Sequence, residues 1–269
     1  HCRMWLWRKF WSVTLSKDAC IIIGNGESRN IFGDLNRLKG RAPIYGCNAI
    51  YRDYPDLCDK IFCVNPNMYN EVVAGKAVKP FTADVIGLDK IVDWNYLVDG
   101  DPEHHVPKNL KSYRIWLGGS TKKDVVKKLD FTQARGSGCS AVLSAASEGY
   151  KNILIVAFDI LGAEQWDTWP GEMSRKQNNI YKNTQNYASR FSMKAYLKYE
   201  WMYQLTQISR QYPDTKFWFI NRLENITMNK FLPYYIAYTK QNFHAGVYAN
   251  LQKFLDGESL EDLKWILPA

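Results

Sequence analysis

The 269-residue sequence contains no apolar run that approaches the roughly 20 residues of a membrane-spanning helix. It has six cysteines, but no two of them stand in C-x-x-C spacing. It also shows no internal repeat and no Gly- or Ser-rich linker. These absences argue against a membrane-spanning protein, a zinc-ribbon protein and a repeat array.

The cysteines that are present lie mostly in or beside apolar or Gly-rich segments: Cys20, Cys47, Cys63 and Cys139. Without metal-ligand spacing, this pattern favours buried free thiols over disulfides or zinc ligands. Free thiols are typical of a reducing compartment, so we expect a cytoplasmic protein.

The charge is basic, with a formal net charge of +8 and a pI of about 9.0. Such a balance indicates either a solvated basic face or a polyanionic partner, such as a nucleotide, a nucleic acid or a membrane surface. The N-terminal stretch HCRMWLWRKFWSV combines aromatic and basic residues but lacks the features of a signal peptide. We expect residues 1–17 to be an extension, with peripheral membrane contact through residues 3–11 as an alternative.

Short apolar segments that end in glycine or a polar residue predict strands at 20–23, 43–47, 60–64, 151–158 and 216–220, with a further strand within 84–92. Helical spacing predicts helices at 28–38, 138–148 and 191–210 and a largely helical tail, in which His244 is structural. The alternation predicts one Rossmann-like α/β domain over 18–269, with a mostly parallel sheet and helices on both faces. Residues 161–190 have little apolar periodicity and predict a lid.

Polar residues follow four of the predicted strands: Asn25, Asn48, Asn65 and Asp159. In open α/β sheets, ligands bind at the carboxyl ends of the strands. One such residue is easily explained by the core, but four at one edge favour a binding site there.

The turn after the first strand, GNGESR, is a partial match to the dinucleotide motif G-x-G-x-x-G. Arg29 stands in place of the third glycine, and the second strand ends in Asn48 rather than in the acid that binds a ribose diol. NAD is therefore disfavoured. The glycines still allow close approach of a ligand, and the helix after Gly26 offers N–H groups to an anion. The alternative is a tight strand-to-helix turn.

A second segment, ARGSGCSAVLSAASEGYKNILIVAFD, spans residues 134–159. Its Gly-Ser-Gly opens a helix that Ser137 can cap, and the helix N-terminus, with Arg135 beside it, could bind an anion. The alternative is a closely packed helix with an ordinary serine cap.

Together these motifs resemble the bacterial sialyltransferases of glycosyltransferase family 42 and related phage-encoded proteins. The resemblance rests on the order GNGES, Cys47-Asn48, Asn65-Pro66, Ser137-Gly138 and Gly149-Tyr150-Lys151 through Asp159. It implies transfer of sialic acid from a cytidine monophosphate (CMP) donor, without a metal or other cofactor, on a GT-A-like fold with a lid. The acceptor would be a glycan or a modified nucleic acid. The implied donor-binding residues are Asn25, Gly26, Ser28, Asn48, Asn65, Ser137, Gly138, Asp159, Tyr181, Tyr187 and Arg190.

The sequence departs from the family in two places. The family has a tyrosine just after its Ile-Asp-Phe, whereas Ile160 and Leu161 follow Asp159 here, and Arg190 stands at the aligned position of the family's catalytic histidine. Arginine is not a general base at neutral pH. His104 and His105 are the candidates for that base, and the lid residues Tyr181 and Tyr187 either bind phosphate or pack the lid.

Two other functions stay open. Asp99-Gly100-Asp101 is either a plain turn or a metal-diphosphate motif, and the second interpretation would suit an enzyme like the pterin pyrophosphokinases. A non-catalytic nucleic-acid binder on the same fold would also explain the basic charge.

Overall fold

The computed structural model describes residues 18–63, 71–72, 84–87, 136–159, 196–227 and 232–267. Several sequence predictions lie outside the described residues: the 1–17 extension, the 161–190 lid, the Asp99–Asp101 motif, and the residues Asn65, His104, His105, Arg135, Tyr181, Tyr187 and Arg190. These remain predictions, as does the division of the chain into an extension and one domain.

Seven strands of the described residues form one sheet in the order β4-β3-β2-β1-β5-β6-β7, and every neighbouring pair is parallel. The predicted α/β class with a parallel sheet is therefore confirmed. The strands are β1 (Ala19–Ile23), β2 (Ile44–Cys47), β3 (Lys60–Cys63), β4 (Asp84–Gly87), β5 (Asn152–Val156), β6 (Lys216–Asn221) and β7 (Phe243–Val247).

The described helices cover the sheet. The α-helices are α1 (Ser137–Ser147), α2 (Tyr196–Gln211), α3 (Leu223–Thr227), α4 (Leu232–Ala237) and α5 (Tyr248–Leu255). The 3-10 helices span Glu27–Phe32, Leu35–Leu38, Asn48–Arg52 and Leu260–Asp262. Within these ranges, no helix has both the length and the apolar character needed to cross a membrane.

The strand sequences explain why the sheet is buried. All five residues of β1 are buried, as are the last four of β5, and Ile21 lies opposite Leu154 in the register of the two strands. A strand that is apolar at every position fits only the interior of a parallel sheet that is covered on both faces. Helix α1 packs on this central region, against β1, β2, β3 and β5.

The order in which strands are added to the sheet reverses at β1: β2, β3 and β4 lie on one side of it, and β5, β6 and β7 lie on the other. Because the crossovers between parallel strands are right-handed, this reversal places the connections of the two halves on opposite faces. The reversal is a topological switch point, and crevices at the carboxyl ends of strands form there. The Gly24–Gly26 turn and the segment after β5 meet at this point.

The predicted helix at 28–38 is wrong in form. Two 3-10 helices occupy this stretch, and Gly33, with φ of 80°, separates them. Ile31 is 52% exposed, whereas Arg29 and Phe32 are buried. A 3-10 helix has three residues per turn, so the apolar positions of an α-helix no longer share one face.

The prediction of a largely helical tail is also wrong in part, because β7 forms the last strand of the sheet. His244 lies on β7 and stacks on Trp218 of β6, with ring centroids 4.5 Å apart. Trp265 contacts the same indole at 4.6 Å. These contacts fit the structural role predicted for His244.

The cysteine prediction is confirmed for the described residues. Five thiols are free and buried: Cys20, Cys47, Cys58, Cys63 and Cys139. Burial raises the pKa of the Cys47 thiol to about 12, so this side chain behaves as a small apolar group.

Candidate active site

The structure brings several of the predicted site residues to one edge of the sheet. Asn25 follows β1, and its Nδ2 donates to the carbonyl of Cys47, at the end of β2, at 2.9 Å. Asn48 follows Cys47, and its Oδ1 accepts from Ser137 Oγ, at the start of α1, at 2.8 Å. The first turn of α1 therefore lies against the ends of β1 and β2. Whether these side chains bind a nucleotide stays a prediction.

Ser137 does not cap α1 as predicted. The N-cap is Gly136, which makes no side-chain cap hydrogen bond, and Ser137 is the first helical residue. Its hydroxyl instead donates across to Asn48, whose backbone has a φ of 47°. Asparagine tolerates this left-handed region better than most residues, so the bend after β2 is consistent with its identity.

The two glycines of the turn are needed by the protein's own chain. A Cβ on Gly24 would lie 2.4 Å from the carbonyl oxygen of Ala157, and one on Gly26 would lie 2.3 Å from Cγ of Asp159. The backbone N–H groups of Gly24 and Gly26 donate to the carbonyls of Val156, the last residue of β5, and Ala157, which follows it. The tight-turn alternative is therefore supported, and these glycines do not by themselves indicate a ligand.

Arg29 also has a structural role. The side chain is 4% exposed; it donates to the carbonyl of Gly26 at 3.0 Å and pairs with Asp53 at 2.8 Å. An arginine in place of the motif's third glycine thus ties the turn to the 3-10 segment after β2.

The carboxylate of Asp159 occupies the start of the first 3-10 helix, where the sequence predicted that an anion could bind. Ser28 donates to this carboxylate through its backbone N–H, at 2.8 Å, and through its hydroxyl. Tyr248 of α5 lies 2.9 Å from the same hydroxyl. A phosphate at the Ser28 N–H would have to displace Asp159.

The Asp159 carboxyl has a shifted pKa. Burial raises it, whereas the hydrogen bonds from Ser28 and the charge of Arg222 lower it, and the net direction is upward. A raised pKa in the folded state means that the contribution of this group to stability is complete below about pH 3.9 and is lost as the pH rises through the folded-state value.

We therefore expect Asp159→Asn to gain stability relative to the wild type as the pH rises above about 3.9. The amide stays neutral, and it can still accept from the Ser28 N–H. Urea unfolding at a series of pH values measures the difference. Asp262→Asn, at an exposed position, serves as a control for the chemical change from aspartate to asparagine. A difference that is constant with pH for Asp159→Asn would contradict the assignment.

Sequence reasoning missed the contribution of β6 to this edge. Asn221 ends the strand; its Nδ2 donates to the carbonyl of Phe158 at 2.7 Å, and its Oδ1 accepts from the backbone N–H of Arg222 at 2.8 Å. The signal was present, since Asn221-Arg222 is a polar pair that follows an apolar strand like the others. Tyr248 carried no such signal, because its contact depends on α5 folding back across the sheet.

The chain was compared with known proteins. No protein-family model matches it, and no curated protein matches it. A solved structure of an alpha-2,3-sialyltransferase from Campylobacter jejuni in its apo form is similar, with a TM-score of 0.43 and 14% sequence identity over 77% of each chain. That similarity is too low to carry a functional argument.

Proposed function

We propose that this chain is a glycosyltransferase that uses a nucleotide-activated sugar, with a CMP-linked sugar as donor. The observation that carries the proposal is the hydrogen bond between Ser137 and Asn48, which are 89 residues apart in the chain. Together with the bond from Asn25 to Cys47, it gathers four residues of the sialyltransferase-like motifs at the carboxyl edge beside the switch point.

The chemistry follows from these groups. An acceptor hydroxyl attacks the anomeric carbon of the sugar, the bond from that carbon to the phosphate oxygen breaks, and the nucleotide leaves with the electron pair. The first-turn N–H groups of α1 are suited to stabilise the charge that develops on the leaving phosphate. The acceptor's proton goes to a general base, for which His104 and His105 remain the candidates.

The identity of the residue after β2 supports this proposal over a dinucleotide enzyme. Asn48 stands where an NAD protein carries the acid that binds the ribose diol. A neutral amide offers both a donor and an acceptor, which suits a base edge or a sugar hydroxyl.

Thermal-shift measurements test the proposal. CMP or a CMP-linked sugar is expected to raise the melting temperature more than NAD or ATP does, because a ligand that binds only the native state stabilises it by mass action. Ser137→Ala should weaken CMP binding about fivefold, because it removes the hydrogen bond of the Ser137 hydroxyl, and one such bond contributes about 1 kcal/mol.

The matched control is Ser147→Ala, at the other end of α1, where the hydroxyl donates only to the carbonyl of Ser144 within the helix. It should bind CMP as the wild type does. The rise in the melting temperature of the wild type with CMP should persist when a chelator is present. An equal or larger shift with NAD would reject the proposal, and a shift abolished by chelation and restored by Mg²⁺ would favour a pyrophosphokinase.

A further inference from the structure

The strongest unassigned feature of the candidate site is the guanidinium of Arg222, which follows β6. Its backbone is fixed, because Asn221 accepts from its N–H at 2.8 Å and holds the segment after β5 at 2.7 Å. The side chain is 33% exposed, so the head group reaches the surface of this edge. An arginine whose backbone is held in place and whose guanidinium is accessible is suited to bind an anion.

The head group is only loosely held. Its NH2 lies 3.6 Å from Oε2 of Glu27, beyond hydrogen-bond distance, and Glu27 is itself 34% exposed. Its Nε is buried, and no acceptor in the described part of the chain lies within reach of it. An exposed pair at this distance contributes little to stability, so Glu27 does not satisfy the guanidinium.

We propose that Arg222 binds an oxyanion of the substrate and that Glu27 is displaced when it does so. The guanidinium presents its N–H donors in a planar fork that matches two oxygens of a phosphate or a carboxylate. The identity of the ligand as a nucleotide-sugar rests on the proposed function; the anion site itself does not.

The position of Arg222 along the edge limits which groups of a ligand can reach its guanidinium. β6 lies two strands from β1, but the Arg222 side chain extends back to Glu27, in the turn that also carries Asn25. A ligand near Asn25 is therefore within reach of the guanidinium. Two groups of a CMP-linked acidic sugar could supply the oxyanion: the phosphate of the nucleotide or the carboxylate of the sugar.

Calorimetric titration of the full chain with four ligands tests the inference. CMP against cytidine isolates the phosphate, and N-acetylneuraminate against its methyl ester isolates the charge of the carboxylate. Arg222→Gln is expected to weaken the binding of one anion, CMP or N-acetylneuraminate, at least tenfold. The affinity for the neutral counterpart of that anion should not change. Glu27→Gln, which removes the competing carboxylate, is expected to strengthen the same anion about two- to fivefold.

Arg37→Gln is the matched control, because it removes the same charge from an exposed arginine that bonds Gln252 at 2.6 Å. It should bind every ligand as the wild type does. Equal anion affinity in the wild type, Arg222→Gln and Glu27→Gln, with CMP and cytidine still binding, overturns the inference and leaves the proposed function standing. Binding of N-acetylneuraminate that depends on Arg222, without binding of CMP or cytidine, supports the anion site and rejects the nucleotide-sugar. Binding of none of the four overturns both.

Discussion

Gly24→Ala is expected to lower the melting temperature by about 6–12 °C. The added methyl would lie 2.4 Å from the backbone oxygen of Ala157 and 2.9 Å from the ring of Phe158. The first of these atoms belongs to the backbone after a central strand and cannot rotate away. Overpacking of this kind costs about 3 kcal/mol, and each kcal/mol shifts the melting point of a chain this size by about 2–4 °C.

The same substitution at Gly40 provides the control. Gly40 has a φ of 74° and open space around the position of a Cβ, so Gly40→Ala pays only the backbone strain of about 1 kcal/mol. Differential scanning calorimetry of the two variants separates crowding from strain. If Gly24→Ala melts no lower than Gly40→Ala, the segment after β5 does not pack on the β1 turn as described.

Trp218→Ala is expected to destabilise the protein by about 3–5 kcal/mol. The side chain is 1% exposed, its ring lies 4.5 Å from His244 and 4.6 Å from Trp265, and its Nε1 donates to Asn152 Oδ1 at 3.0 Å. Truncation leaves a cavity between β6, β7 and the C-terminal segment. Urea unfolding followed by far-ultraviolet circular dichroism measures the loss as a lower midpoint at constant slope.

Tyr238 offers the comparison for this aromatic truncation, because it is 66% exposed. Tyr238→Ala should change stability by less than about 0.5 kcal/mol. Trp218→Phe should fall between the two, since it keeps an aromatic ring but leaves the Asn152 oxygen without its donor. A midpoint for Trp218→Ala near that of Tyr238→Ala would show that β7 is not anchored through this stack.

The strands with continuous apolar runs could be predicted from the sequence, because burial on both faces of a parallel sheet leaves a local signature. Cys20–Ile23 and 151–158 are of this kind. β7 could not be predicted, since FHAGV includes a histidine and a glycine. It pairs with β6, and His244 stacks on Trp218 there; both are contacts between distant segments and not properties of the segment itself.

The candidate site shows the same limit. The polar residues after β1, β2 and β5 could be predicted to share an edge, because parallel strands end at the same side of a sheet. The partners of those residues could not be predicted. That the carboxylate of Asp159 occupies the Ser28 N–H, and that Tyr248 lies beside it, depends on the packing of segments far apart in the chain.

The strand order also constrains how the protein is made. Ser28 and Asp159 are 131 residues apart, an interval that takes roughly 7–26 s at a synthesis rate of about 5–20 residues per second. During that interval the nascent β1 can pair with β2, but the edge that β5 will cover is open, and the Ser28 turn lacks its carboxylate. Open strand edges invite pairing between chains. Truncations that end before β5 should therefore aggregate rather than fold.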